Sequence, residues 1–402
     1  MGQIEPPDGQ TIETLADGLA ESLRSQGRLT DPAWERALRE VRRDLFAPPR
    51  AWAKPDNSQA GGPIDRDTAP QEWWNAVYSD ASLVIQADDG AGDPASGIGM
   101  ITSSLSAPGV VIEFLELLAP NPGDRVLDVG TASGWTAALL SWRVGQAGVT
   151  SIEVDGQVAA QASANLKTAG FAPHLVVGDG TEGCAERAPF ERIHVTAGVS
   201  AIPLSWVEQA RPGGVIVMPW QPHGGLGHKL RLEVTSGSTA VGSFHGPAAY
   251  MMLRSQRHGS TWNPHHFEEA DHSETTIDPT ILATADQGAD LVFAALAPQI
   301  GWHASIDEDT YSLLLFEPDN PNGSWAACDK ESGTDTYQVA QYGERRLWDE
   351  LSDAYLEWVA FGSPHYERFG LTVGPEGTHL WLDHPNGPSW KIPVSSSVLG
   401  DH

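Results

Sequence analysis

The chain has 402 residues, 40% of them hydrophobic, which is material for two cores, and no apolar run approaches the ~20 residues that a membrane-crossing helix needs. Through Trp220 there are 15 basic and 28 acidic residues, for −13, and beyond it 9 and 25, for −16, so neither half offers the concentrated basic face that nucleic acid requires. Only Cys184 and Cys328 are present, which argues against a disulfide framework and fits a reducing cytoplasm, and Met1–Asp8 lacks the basic-then-apolar order of a signal peptide.

In chain order, the apolar run Val110–Leu118 predicts a helix. The stretch Arg125–Trp135 then reads as a buried strand (Val126, Leu127, Val129) ending in a glycine turn, Gly130-Thr131-Ala132-Ser133-Gly134, that opens a helix. Backbone N–H groups near Ser133 to Trp135 lack partners within such a helix and favour an anionic group in the turn. Alone, the pattern suits loop punctuation, a dinucleotide site or another cofactor cradle. A phosphate site is disfavoured, because Ala132 stands where pyrophosphate approach wants glycine and no basic residue accompanies the turn.

A second strand, Gly148–Asp155, ends near Glu153, about 20 residues past the turn, where a nucleotide-binding fold places a ribose acid. A helix over Gln157–Ala169, a third strand His174–Gly180 carrying Asp179, and a fourth strand Phe190–Ala197 follow. The alternation predicts a doubly wound, mostly parallel α/β sheet of Rossmann-like type. Beyond about residue 225 come Asp290–Ala297, a strand Tyr311–Phe316, a helix from about Glu344 to Val359 with Leu347, Leu351, Tyr355 and Trp358 at helical spacing, and strand-like Arg368–Val373 and Thr378–Asp383. The expected organisation is a helical, substrate-side segment (1–100), a cofactor-binding core (101–225) and an added C-terminal α+β domain (226–402). Trp348, Trp358, Trp381 and Trp390 suit either a core or a peptide anchor. His265 and His266 are adjacent on an extended segment and point apart, with no third ligand at a suggestive spacing, so no metal is expected.

These residues resemble the protein L-isoaspartyl O-methyltransferases, which are class I enzymes dependent on S-adenosylmethionine. The likeness runs from about residue 30 to 220. Ala37–Pro48 looks like the family's first helix with its arginine-phenylalanine-proline ending, Ala76–Asp80 like its short acidic strand, Thr102–Pro108 like its serine motif, and Ala210–Pro219 like its late helix-turn-strand. The resemblance implies that Asp128, Gly130, Thr131, Ala132, Gly134 and Trp135 surround the methionine part of the cofactor. It gives Glu153 to the ribose, and Asp179 with Gly180 to the adenine. It implies that Ser104 and Ser106 orient the substrate carboxylate, with Tyr78, Asp80, Ser103, Ala107 and Thr196 lining the substrate side. Serines beside a proline also cap helices and close turns, so this pattern has a purely structural reading as well.

Two departures bear on the substrate. Family members commonly carry histidine or aromatic residues after the serine-alanine-proline, whereas this chain has Gly109-Val110-Val111; and Asp88–Gly99 lengthens a loop that should border the substrate, as a solvated loop or a mobile lip. The C-terminal motifs resemble long homologues found with lanthipeptides, graspetides and related ribosomally made peptides. The expected function is therefore esterification of an aspartate in such a peptide, the modified, macrocyclic precursor, leading to succinimide. Isoaspartate repair, and noncatalytic peptide binding with a retained cofactor site, are the alternatives. Oligomeric state is not legible.

Overall fold

In the computed structural model the described residues are 6, 11–56, 60–222, 227–257, 259, 266–307 and 310–393. The chain forms two compact units, Met1–Ala197 with Ser205–Met218, and Gly198–Leu204 with Pro219–His402.

The first unit opens with helices α1 (Ile12–Ser25) and α2 (Pro32–Glu40). Thr11 and Thr14 make a reciprocal capping box on α1, and Ala16, Leu19, Ala20 and Leu23 recur at helical spacing to form its buried face. Asp31 caps α2 through the Ala33 N–H, with Pro32 in the first turn where its missing donor costs nothing. Next come strands β1 (Arg50–Pro55) and β2 (Gly62–Asp65), helix α3 (Pro70–Val77), and strands β3 (Ala81–Ala87) and β4 (Ile101–Leu105). They build an antiparallel sheet in the order β2-β1-β3-β4, so the segment expected to be helical also carries four strands.

Helix α4 (Pro108–Leu118) leads into β5 (Val126–Val129), α5 (Trp135–Val144), β6 (Val149–Glu153), α6 (Gly156–Thr168), β7 (His174–Val177), β8 (Phe190–Val195), α7 (Leu204–Gln209) and β9 (Ala210–Trp220). All pairings in the order β9-β8-β5-β6-β7 are parallel. The chain winds outward in one direction from β5 through β6 to β7, and in the other from β8 to β9. The order therefore reverses between β5 and β8, where open α/β sheets bind ligands beyond the strands' carboxyl ends. Every residue of β5 and of β6 is buried, as a strand covered on both faces requires.

Three expected elements differ. The helix read over Ala37–Pro48 ends at Glu40, because the chain turns to bury Arg43 and Asp44 in a short 3-10 turn. Ala76–Asp80 is not a strand: Ala76 and Val77 close α3, whose Trp73, Trp74 and Val77 are buried, and β3 starts at Ala81. The third strand stops at Val177, and Asp179 instead caps a 3-10 turn at Gly180–Glu182.

The second unit contains β10 (Gly227–Ser236), β11 (Thr239–Ala248), β12 (Asp271–Thr275), α8 (Pro279–Ala283), α9 (Gln287–Leu296), β13 (Gly301–Asp307), β14 (Thr310–Phe316), β15 (Trp325–Glu331), β16 (Tyr337–Tyr342), α10 (Leu347–Ala360), β17 (Phe369–Gly374), β18 (Gly377–Leu382) and β19 (Ser389–Ile392). Five antiparallel strands run in the order β12-β16-β15-β14-β13, while β10, β11, β17, β18 and β19 form an antiparallel run. The apolar stretch Asp290–Ala297 lies mostly in α9, tied to β10 where His228 Nε2 meets Asp290 Oδ2 at 2.7 Å. Trp348 and Trp358 are core residues, whereas Trp381 and Trp390 are half-buried. His265 lies outside the described residues; the His266 ring stacks on Tyr342.

Candidate active site

The turn after β5 is shaped by its backbone. Gly130 and Gly134 adopt φ of +97° and +92°, and Ala132 also lies in the left-handed region at +47°. A Cβ on Gly130 would strike the Thr196 hydroxyl, which donates to the carbonyls of Val129 (3.0 Å) and Gly130 (2.7 Å). Thr196 thus clamps the turn from the end of β8, across the switch point. From the other side, the N–H groups of Gly130 and Thr131 donate to the Ile152 carbonyl at 2.9 and 3.1 Å.

Glu153 closes the turn from β6. Its Oε2 accepts from the Ala132 N–H at 2.9 Å and its Oε1 from the Asp155 N–H at 3.1 Å, so the carboxylate is held rigidly beside the turn. Asp179 spends Oδ1 on the Thr181 N–H at 2.9 Å, and a Cβ on Gly180 would run into Val129.

Two residues read as cofactor contacts face elsewhere. Asp128 is 0% exposed, and its carboxylate accepts from the Ser151 hydroxyl at 2.8 Å and meets His194 Nδ1 at 3.0 Å. The Ser151 hydroxyl also pairs with Thr131 Oγ1 at 2.7 Å, so Asp128 anchors the turn from beneath. The Trp135 ring is buried, with its Nε1 directed at the Val41 carbonyl and the Arg43 guanidinium carbon 5.1 Å from its centroid. Only its backbone belongs to the turn.

On the substrate side, β4 carries buried Ser103 and half-buried Ser104, followed by half-buried Ser106 and buried Ala107 at the start of α4. The Thr102 hydroxyl donates to Gln86 Oε1 (2.9 Å), and Gln86 Nε2 donates to Asp155 Oδ2 (3.1 Å), which fastens the serine strand to the turn that follows Glu153. Arg43, fully buried, donates to the carbonyls of Val77, Ala81 (2.8 Å) and Ser106 (3.0 Å). Burial lowers its guanidinium to about 9, still protonated at neutral pH. This residue links the serine motif to the first turn of α5.

Tyr78 and Asp80, read as substrate contacts, serve the scaffold. The buried Tyr78 hydroxyl donates to Asp44 Oδ1 at 2.6 Å, and burial pushes it well above the ordinary phenol range. Asp80 accepts from the Gly109 N–H (2.7 Å) and from Arg28 (2.7 Å), and Arg28 also reaches Asp56 and Glu113, each at 2.6 Å. A Cβ on Gly109 would collide with the Arg28 guanidinium and the Asp80 carboxylate, which explains why no bulkier residue follows Pro108.

His194 carries no signal in the sequence beyond its place in an apolar strand. Its Nε2 is buried without a hydrogen-bond partner, so the tautomer with hydrogen on Nδ1 avoids an orphaned donor. His194→Asn, whose amide nitrogen falls near the imidazole Nδ1, is expected to keep most of the stability. His194→Gln, which misplaces the donor, is expected to lose about 1.5–3 kcal/mol in urea denaturation. Equal losses in both would show that volume, not the Asp128 bond, matters. Gly109→Ala is expected to break the Arg28–Asp80 contact and cost about 1–3 kcal/mol in the same measurement.

The family model for protein-L-isoaspartate(D-aspartate) O-methyltransferase matches residues 58–241. The protein-L-isoaspartate O-methyltransferase of Aeropyrum pernix is 35% identical over 204 residues, which cover 50% of this chain and 65% of that protein, just under two thirds of its length. A second such protein, from Archaeoglobus fulgidus, is 34% identical over 203 residues, with 50% of this chain and 76% of the relative covered. That of Methylorubrum populi is 38% identical over 195 residues, covering 48% and 84%. A solved protein-L-isoaspartate O-methyltransferase shares the fold at a TM-score of 0.51 and 20% identity, over 92% of this chain and all of its own. With more than 30% identity over three quarters or more of two relatives, this chain belongs to the protein-L-isoaspartate(D-aspartate) O-methyltransferase family.

Proposed function

We propose that the chain is a carboxyl O-methyltransferase that uses S-adenosylmethionine to esterify the side-chain carboxylate of an aspartyl-type residue in a peptide. The observation that supports this most is the turn at the β5/β8 reversal with the Glu153 carboxylate fixed beside it. The cradle fits the cofactor: its backbone bends at positive φ, the nearby Arg43 guanidinium is buried and engaged by three carbonyls, and the Glu153 and Asp179 carboxylates are acceptor groups suited to ribose hydroxyls and an adenine amine. When bound, the cofactor supplies an activated methyl group.

The protein's own part is placement. An aspartyl carboxylate, with an ordinary pKa of about 3.9, is already ionised at neutral pH and needs no general base. Ser104 and Ser106, half-buried on the strand and turn fastened to the turn that follows Glu153, are suited to orient such an oxygen by donating hydroxyl hydrogens. Arg43 holds the Ser106 carbonyl from below, so the direction of this turn is fixed before substrate arrives.

Our finer reading is an aspartate in a ribosomally made, macrocyclic precursor peptide. The methyl ester activates the carbonyl, the next backbone nitrogen attacks it, methanol leaves and a five-membered succinimide closes. The added loop at Asp88–Gly99 and the second unit support a substrate side unlike that of a general repair enzyme. A solved protein-L-isoaspartate O-methyltransferase overlaps 92% of this chain in fold, and isoaspartate repair is the second reading.

Incubation with radiolabelled cofactor separates the two. Efficient methylation of unrelated isoaspartyl peptides indicates repair; labelling of an aspartyl precursor peptide encoded beside the gene, with loss of methanol, indicates the first reading. Cofactor binding with labelling of neither leaves a noncatalytic binder. Glu153→Ala is expected to weaken cofactor binding by about 1.5–3 kcal/mol in calorimetry, through lost ribose contacts and a loosened Ala132; unchanged affinity removes Glu153 from the site.

A further inference from the structure

The segment Asp88–Met100, which joins β3 to β4, is an ordered structure. Asp88 clasps its far end: the Asp88 N–H donates to the Met100 carbonyl (2.8 Å), and Asp88 Oδ1 accepts from the Met100 N–H (2.7 Å). Gly99, at φ +89°, leaves the room in which the Asp88 carboxylate sits. Midway, the Trp52 N–H donates to the Pro94 carbonyl (2.9 Å), and the Trp52 ring packs where a side chain on Gly97 would be. The Ser96 hydroxyl donates to the Asp93 carbonyl (2.8 Å) and accepts from the Ile98 N–H (3.1 Å).

This bonded loop holds apolar side chains out of the core. Ile98 is 78% exposed, Met100 53% and Ile101 39%. Single exposed apolar residues are ordinary, but three within four positions, at the end of a loop fixed by its own hydrogen bonds and the first residue of β4, form a strip that water covers at a cost. The strip runs without a break into β4 and its serines. Its base is also tied to the turn that follows Glu153 through Thr102, Gln86 and Asp155.

Resting on the methyl-acceptor reading above, we propose that Ile98, Met100 and Ile101 form a fixed apolar lip that receives an aliphatic or aromatic side chain of the peptide, next to its acceptor residue. The charge of the loop narrows the partner further. Between Asp88 and Met100 stand three aspartates and no lysine or arginine; Arg50 of β1 lies 3.6 Å from Asp93, and Asp88 and Asp89 still leave the loop acidic, so a neutral or cationic flank is accepted and an acidic one repelled. The lip reads the neighbour of the acceptor, while the serines read the acceptor itself.

The test uses the full chain and fluorescein-labelled hexapeptides that place Leu, Ser or Glu beside a central isoaspartyl or aspartyl residue. Binding is read by anisotropy with S-adenosylhomocysteine present, and methyl transfer is followed in parallel. Leu peptides are expected to bind about ten-fold tighter than Ser peptides, with Glu peptides weakest. The double variant Ile98→Ser/Met100→Ser should reduce the Leu-to-Ser ratio to within about two-fold while S-adenosylhomocysteine affinity stays unchanged. The same ratio in both proteins overturns the proposal. So does a concentration-dependent dimer, seen by sedimentation and abolished in the double variant, which would assign the strip to a second copy of the chain. Leu-selective binding without any methyl transfer sustains the lip and removes the reaction assigned to the site.

Discussion

The cofactor turn rests on one wholly buried carboxylate. Asp128 lies at the centre of a chain of polar groups, Thr131–Ser151–Asp128–His194, that joins β5, β6, β8 and the turn itself. A buried charge is costly unless its hydrogen bonds are satisfied, and here each carboxylate oxygen has a named partner. The same cost makes the arrangement specific. A register slip in β6 or β8 would carry Ser151 or His194 to the opposite face of the sheet and strand the charge, so the parallel pairing and the turn's shape enforce one another.

A second buried charge organises the substrate side. Arg43 has carbonyl oxygens and an aromatic ring as its neighbours, and it joins the end of α3, the start of β3, the serine turn and α5. Beside it, the Arg28–Asp80 pair fixes the N-terminus of α4 through Gly109. Asp80 shows the tension of such a position: burial raises its carboxyl above the usual range, while the Gly109 N–H and Arg28 oppose that shift. The half-buried hydroxyls of Ser104 and Ser106 are thus backed by charges that are already engaged.

Much of this was legible in the residues because local chemistry and global fold agree. Gly130, Gly134 and the alternating apolar runs specify strand, turn and helix directly, and Glu153 follows from its distance past the turn. Not legible were the side-chain partners that are remote in sequence. Asp128 and Trp135 sit inside the right motif, yet their side chains meet His194 and Arg43, 66 positions on in the first case, and nothing local announces that. The partners of Tyr78 and Asp80 were hidden for the same reason, since Asp44 and Arg28 lie far off in sequence. Element ends erred where a tertiary contact overrode a local preference, as at Arg43. The lip was visible as an acidic, glycine-rich loop, but its order depends on Asp88 and Trp52 reaching across it.

The route of the chain between its two units bears on how such a protein could arise. Residues Gly198–Leu204 count with the second unit although first-unit sequence flanks them on both sides. They are stitched there by main-chain bonds between Gly198 and both Met251 and Leu253, and by Gln256, whose Oε1 accepts from the N–H groups of Ser200 and Ala201. No single cut in the polypeptide separates the units cleanly, since a break after Met218 abandons this heptapeptide without its anchors. Recombination that merely appends or deletes a tail would leave the same orphan, so loss or gain of the second unit has to be accompanied by rewriting of the crossing between β8 and α7.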